Sequence, residues 1–545
     1  MSIFSIGLSG LNAAQNALNT TSNNISNVYT SGYNRELTLL GEGRAGGGVE
    51  VNDIQRQFNR YVASQLNSAT STASALQTYQ TQITQIDDLL ADRDAGLAPL
   101  MQDFFSALEG LAGAPSDPAA RQGVIGAADT LSAQFRSFDR YLQDMQEGVN
   151  GQIKDEVTQI NNATEQIAKL NREIALARAR NGEAPNSLLN QRDQAIAGLS
   201  ERLDVRLVVQ DGKTYNISLP NGQPLVSGTN HYQLETMESS SDPQRTVLGY
   251  RDSGGNTVEV KESVITGGTL GGLMTFRSET LDKVQNQIGQ LAVSLAIGFN
   301  EQHAEGVDSN GDPGEDFFAI GQPLAYANAR NTGTADVVDT RFDDVTDLQA
   351  ADYTVRVTDD TTTPPTVEVT RKDNGEVLDT ADVSFVGNDL SFGGVVLTFD
   401  DATNLVNDDR FEVQPVRRAA QDMESLISDL DKIAAGEAAG SGDNRNALAL
   451  QALQDELLVG GSATVNQAYA AMVSDVGNRT NIVEVNLAAQ EGLTEQLQAV
   501  QQSESGVNLD EEAANLIRYQ QYYQANARVI DVGSTILDTI LGLRA

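Results

Sequence analysis

Three aspartate pairs, Asp343-Asp344, Asp400-Asp401 and Asp408-Asp409, are the side chains of this 545-residue chain best placed by type for acid–base chemistry. A glycosidase needs two carboxylates facing one another across a bond. Sequence neighbours in extended chain point to opposite sides, so these pairs read as solvating charge on loops. A second candidate is GVDSNGDPGEDFF, where Asp308, Asn310 and Asp312 imitate the first ligands of a calcium loop. Pro313 stands where that loop turns on glycine and Ala319 where it closes with glutamate, so a polar turn without metal is expected. Only His231 and His303 could serve as imidazole bases, and there is no cysteine, which removes disulfides, thiolate metal sites and cysteine nucleophiles. The expectation is a chain that is not an enzyme and calls for no cofactor.

The bulk numbers narrow the remaining classes. The length implies three or more domains. A net charge of -39, from 75 acidic and 36 basic side chains, disfavours nucleic acid, whose phosphates need clustered cations, and anionic membrane surfaces. No apolar run approaches the ~18 residues of a membrane span, and the start lacks the cationic and apolar regions of a cleaved signal peptide.

The elements must then be asked what they position. The first 34 residues contain no charge, Arg35 being the first. Within them Leu8, Leu11, Ala14, Leu18, Ile25 and Val28 lie on one helical stripe at three-four spacing. Beside it runs a row of asparagines that includes Asn16, Asn23 and Asn27. At the other end Leu516, Tyr523, Ile530, Leu537 and Leu541 repeat the stripe between 508 and 541. Two matching coiled-coil seams at opposite ends predict helices that pack together. An asparagine row without charge suits lateral contact between identical subunits, where like charges would be desolvated.

Between these ends the texture alternates. The pieces RELTLL and GVEVNDI, joined through Gly46-Gly47-Gly48, predict a hairpin, with Asn52 or Asp53 capping a helix that runs to about Leu90. Asp117 with Pro118 starts a helix of some 60 residues that stops at Asn181-Gly182, with Gly148 and Gly151 as kink points. Strands punctuated by Asp211-Gly212, Asn221-Gly222 and Gly254-Gly255 follow, then helix from Leu270 to about Gly306. A second strand block, 335–415, holds 19 acidic and 5 basic residues by count, as a well-solvated outer domain should. Helix is expected again from Ala419 onward, interrupted at GEAAGSGDN and VGGSATVN.

The fold class expected is α+β multidomain: a long coiled-coil and helical-bundle rod made from both termini, with two inserted β-rich domains. The boundaries read are 1–34 with 508–545 for a terminal core domain disordered in the monomer, 35–203 with 270–334 and 417–507 for the rod, 204–269 for the first β domain and 335–416 for the second.

The motifs SGLNAAQNALNTTSNNISNVYTSGYNR and SGVNLDEEAANLIRYQQYYQANARVI resemble the two end motifs of the axial proteins of the bacterial flagellum, the rod, hook and hook-associated group. Ser22, Asn23, Asn24, Gly32 and Tyr33 carry the first resemblance; Asn508, Glu511, Tyr519, Gln520 and Asn526 carry the second. In the middle, NSLLNQRDQAIAGLSERLDV and GDNRNALALQAL are similar to stretches of the hook-associated junction members, and the long helices set the chain apart from hook and distal-rod proteins, the alternative reading. The resemblance implies terminal helices forming an innermost layer around an export channel and unfolded export by the flagellar type III apparatus without a cleaved signal. Implied partners are copies of the chain in a helical layer, hook protein, a second junction protein, the filament cap protein during assembly, and an export chaperone on the C-terminal helix. The implied place is the extracellular flagellum, at the hook-filament junction.

Overall fold

The charge-free start folds as helix α1 (Ile3–Ser26) and the end as α10 (Leu509–Gly542). This computed structural model describes residues 3–43, 47–92, 96–211, 214–251, 254–438 and 442–543. The two end helices run antiparallel, with Gly7 against Ile530, Gly10 against Asn526 and Gly533 against Ile3. Glycine lets them approach closely: a Cβ at Gly10 would stand 2.2 Å from the Asn526 amide oxygen.

Glu36–Glu42 and Val49–Arg56 pair antiparallel and lie along α1, where the Ser9 hydroxyl accepts from the Val49 amide at 3.2 Å. Of the turn between them, Gly46 lies outside the described residues. The second strand runs through Asn52 and Asp53, so neither caps a helix. Pairing of Val51 with Leu40 and Asp53 with Leu39 commits them to the ladder. The cap of α2 (Arg60–Leu90) is Asn59, whose side chain accepts from the Tyr61 and Val62 amides.

The rod is built from α2, α3 (Leu97–Gly113), α4 (Pro118–Asn181), α5 (Asn186–Arg202), α6 (Gly268–Phe276), α7 (Asp282–Glu305), α8 (Arg445–Ala452) and α9 (Val465–Ser505). Asp117 caps α4 by accepting from the Ala119 amide, and Gly182 at φ +83° ends it. At 64 residues α4 spans about 96 Å and remains one helix through Gly148 and Gly151. A single π turn, Arg277–Leu281, joins α6 to α7. Phe104, Phe105, Phe299, Phe317 and Phe318 meet edge to face in the upper core. No helix of the described residues is long and apolar enough to cross a membrane.

The first strand-rich block holds a four-stranded antiparallel sheet (206–231) and a three-stranded one (234–259). Gly222 at φ +91° and Gly255 at φ +85° sit in its turns, while Gly212 of the Asp211-Gly212 signal lies outside the described residues. The second block packs two four-stranded antiparallel sheets, between 324 and 414, around Tyr353, Phe392, Phe399 and Phe411.

The segment 419–435, before the expected interruption at GEAAGSGDN, departs from the helical expectation. It carries short 3-10 turns and a two-residue strand, Glu424–Ser425, before α8 begins. The reason lies on α4: Arg121 donates to the Leu430 and Ile433 carbonyls at 2.7 and 3.1 Å, and Arg136 donates to the Met423 carbonyl. Guanidinium groups thus satisfy carbonyls that a helix would have satisfied itself.

Buried charge sets the β blocks against the rod. Arg245 pairs with Glu262 at 3.0 Å and Asp282 at 2.6 Å, Arg277 with Glu262 at 2.7 Å, and Arg417 with Asp282 at 3.2 Å and with Asp352. Despite its burial, the Asp282 carboxyl is held well below the usual range by the Arg245 and Arg417 guanidiniums.

Candidate functional site

The chemistry-bearing groups nearest the paired ends form a clasp where α1 enters the hairpin and α10 begins. Asn24, buried on α1, uses its whole amide. Its oxygen accepts from the Tyr33 hydroxyl at 2.9 Å and the Glu36 amide at 3.0 Å; its nitrogen donates to the Glu36 carbonyl at 2.9 Å and to Glu512 at 3.1 Å. Glu512 is 1% exposed and accepts from Arg35 Nε at 2.8 Å on its other oxygen. Arg35 also pairs with Glu511 at 2.6 Å, donates its amide to the Ser505 carbonyl at 2.8 Å and accepts from the Gln57 amide at 2.7 Å.

One arginine therefore ties together the end of the α1 loop, the foot of α9, the start of α10 and the hairpin exit. Burial, reinforced by the carboxylates of Glu36 and Glu512, pushes the Tyr33 phenol up, so it stays protonated and donates to Asn24. Asn508 caps α10 by accepting from the Asp510 and Glu511 amides, and three acids in that first turn suit the positive end of the helix dipole.

The expected seam and the observed contact face differ by a fraction of a turn. Ala14 is buried, but Leu11, Leu18, Ile25 and Val28 are half-buried and Leu8 is exposed. The buried residues of α1 are instead Gly7, Gly10, Ala13, Ala14, Ala17, Thr20, Thr21 and Asn24, of which Gly7 and Gly10 meet Ile530 and Asn526 of α10 and Asn24 meets Glu512. On α10, Leu516, Tyr523 and Ile530 are half-buried, whereas Leu537 and Leu541 are exposed. Asn16 and Asn23 are exposed and Asn27 half-buried; Asn16 and Asn27 donate to carbonyls one turn back, Asn12 and Asn23.

Of the remaining motif residues, Ser22, Gly32, Glu511 and Gln520 are exposed, while Tyr519 and Asn526 are half-buried. The residues sequence reasoning missed are Glu512 and Arg35 as a pair and the glycines of the helix contact. The first charge after 34 neutral residues, and Gly7-Gly10-Gly533 inside helices, were the signals available.

The groups first considered for chemistry have other partners. Asp401 accepts from the Thr403 amide and hydroxyl, Asp344 from those of Thr346, and Asp409 from the Thr332 and Val406 amides. These are turn caps, and the threonine bonds hold Asp344 and Asp401 below the usual carboxylate range, the wrong direction for a general acid.

In the calcium-like stretch Asp308 accepts from the Asn310 and Asp312 amides. The Lys432 ammonium lies 3.2 Å from Asp308, 3.7 Å from Asp312 and 3.3 Å from Glu315. The chain supplies its own cation there. His303 is fully buried, donating from Nδ1 to the Glu315 carbonyl at 2.7 Å and accepting at Nε2 from the Ala434 amide at 2.9 Å.

Comparison with known proteins places this architecture. A flagella basal body rod protein model matches residues 4–34, and a model of the C-terminal region of the flagellar basal body rod FlgEFG proteins matches 501–543, so both clasp partners fall at or beside matched ends. A model of the flagellar hook-associated protein FlgK helical domain matches 83–318, and one of a D2-like domain of flagellar hook-associated protein 1 matches 326–415. Flagellar hook-associated protein 1 of Salmonella typhimurium is 41% identical, over 100% of both chains.

The chain belongs to the flagellar hook-associated protein 1 family. The Escherichia coli relative is 42% identical over 100% of both chains, and the Bacillus subtilis one 24% identical over 97% of this chain and 96% of its own. The flagellar hook junction protein FlgK from Burkholderia pseudomallei superposes with a TM-score of 0.74 at 29% identity, covering 81% of this chain and 99% of that one. Membership makes this a structural, hook-associated protein of the bacterial flagellum.

Proposed function

We propose that copies of the chain form a layer on the distal end of the hook and join it mechanically to the filament. The α1–α10 pair would be the innermost part of that layer, and the β blocks its outer surface. The observation that carries the reading is the clasp. Once formed, it fastens the helix pair to the rod at one end, while Leu8, Leu537 and Leu541 along the pair are covered by no other part of the chain. Neighbouring copies supply the missing cover, and the absence of charge on α1 lets them approach.

On this reading the partners are hook protein below, a second junction protein above, the filament cap protein during growth, and an export chaperone that holds α10 before assembly. The chain travels unfolded through the flagellar type III apparatus, and residues 1–34 with 508–545 stay disordered until assembly. Cells lacking the chain should carry intact hooks without filaments and lose flagellin to the medium. Missing hooks would overturn the assignment in favour of a hook or distal-rod role.

A further inference from the structure

We propose that one uncharged row on α9 is a side-by-side contact between adjacent copies, a contact that rests on the layered assembly read above. Ile482, Val485, Ala489, Leu493, Gln496 and Val500 follow one another along α9 at spacings of three, four, four, three and four. Their mean step is that of the α-helix itself, so at about 100° per residue the six stay within an arc of about 80° and run straight along the helix. All six are exposed, Ile482 at 52%, Val485 at 62%, Leu493 at 45% and Val500 at 38%. The helix packs on α2 by a different face, on which Val483 and Leu487 are buried and Gln490 donates to the Ala69 carbonyl at 3.1 Å.

Among the described residues no other rod helix presents such a row. Exposed large apolar side chains there stand singly or far apart: Tyr61 on α2, Tyr141 and Leu176 on α4, Leu448 on α8. From Asn478 to Ser503 no charged side chain falls within the arc; Glu484, Glu491 and Glu495 stand at least about 80° beyond its edge. In a chain of net charge -39, such a surface can be pressed against an identical molecule without desolvating like charges.

Direction and area say what covers it. Hook protein below and a second junction protein above would meet the ends of the rod, whereas a row along its length is reached by what stands beside it, which within a layer is another copy. Since copies in a layer share one orientation, each row meets a different face of its neighbour, and the contact propagates from copy to copy. From Ile482 to Val500 the row is about 27 Å long and about 10 Å wide, on the order of 270 Å² per copy. A stable dimer needs about 800 Å² per partner. The contact therefore closes only where the α1–α10 pairs already hold copies together and raise their effective concentration.

Photo-cross-linking tests this without knowledge of the receiving face. Hooks isolated from cells expressing the full chain with p-benzoylphenylalanine in place of Val485 or of Gln496 should, on irradiation, give dimers and higher multimers of this chain. The same photoreactive residue in place of Glu491, outside the arc, should give no such multimer. Val485→Glu with Leu493→Glu should deplete the chain from hooks, whereas Glu484→Gln with Glu491→Gln should not. All four positions are exposed in the single chain, so thermal melts of the purified variants should match the unsubstituted protein. Multimers from position 491 equal to those from 485, adducts with hook protein or another junction component in their place, hooks that carry the photoreactive chain without multimers, or full incorporation of the double-glutamate variant would overturn the contact. Absence of the unsubstituted chain from hooks would overturn the layered reading itself.

Discussion

Glu512 is a buried carboxylate whose two oxygens are taken by Arg35 and Asn24. Removing one partner of such a pair typically costs about 3 to 5 kcal/mol, because the remaining charge stays desolvated. Arg35 is partly exposed, which places Glu512→Ala toward the lower end. The expected phenotype is shed filaments on intact hooks, with the melting of the rod unchanged. Glu512→Gln, which keeps the Asn24 bond and loses the charge, should fall between. His303 gives a pH prediction: it accepts from the Ala434 amide, so it must stay neutral, and burial lowers its affinity for protons. The unfolded chain then binds the proton more readily, and stability is full above about pH 6.5 and falls below it, by at most about 1.4 kcal/mol per pH unit. Asp139, pushed up to about 6 by burial, acts with the opposite sign at lower pH, so denaturant melts from pH 7.5 to 5.5 should be compared with His303→Gln. A slope shared by both proteins would show that His303 is not its source.

At the scale of elements, helix packing rests on a few glycines. Gly289 of α7 faces the Val416 carbonyl, and a Cβ there would stand 1.7 Å from that oxygen. Since the neighbour is backbone and cannot rotate away, Gly289→Ala should destabilise the rod by about 3 kcal/mol or more, read as a lowered melting temperature. An unchanged melt would mean that α7 slides freely past the outer block. Most elements were legible in advance: the start of α4 at Asp117-Pro118, the hairpin after Arg35, two strand-rich blocks and the helices at both ends. What escaped has a common physical cause. The strand ladder extends past Asn52 and moves the α2 cap to Asn59, and 419–435 is not the helix its pattern suggests because its carbonyls are satisfied by α4 arginines more than 280 residues away. Periodicity likewise put the contact face of α1 on leucines. Close approach through glycine and alanine leaves no apolar signal.

For the molecule as a whole, the proposed role demands that its two ends behave differently alone and in company. In the purified monomer roughly the first and last 40 residues should exchange amide hydrogens rapidly and be cut first by protease. The middle should remain folded and soluble after trimming and fail to join hooks. Ends that resist protease in dilute monomer, or trimmed chains that still restore swimming, would refute the role. Beyond the family motifs, the site was only partly legible: Asn24, Tyr33 and Glu511 were marked by resemblance, but nothing local to residue 512 shows that it meets Asn24 from 488 residues away. The junction at Arg35 has a mechanical corollary. Three stretches of chain, at Arg35, Gln57 and Ser505, are laced there by the Arg35–Ser505 and Gln57–Arg35 backbone bonds, so a tug along the helix pair is passed to the rod through more than one strand of chain. A rotating propeller would exert its pull where resistance is shared among neighbouring stretches of chain.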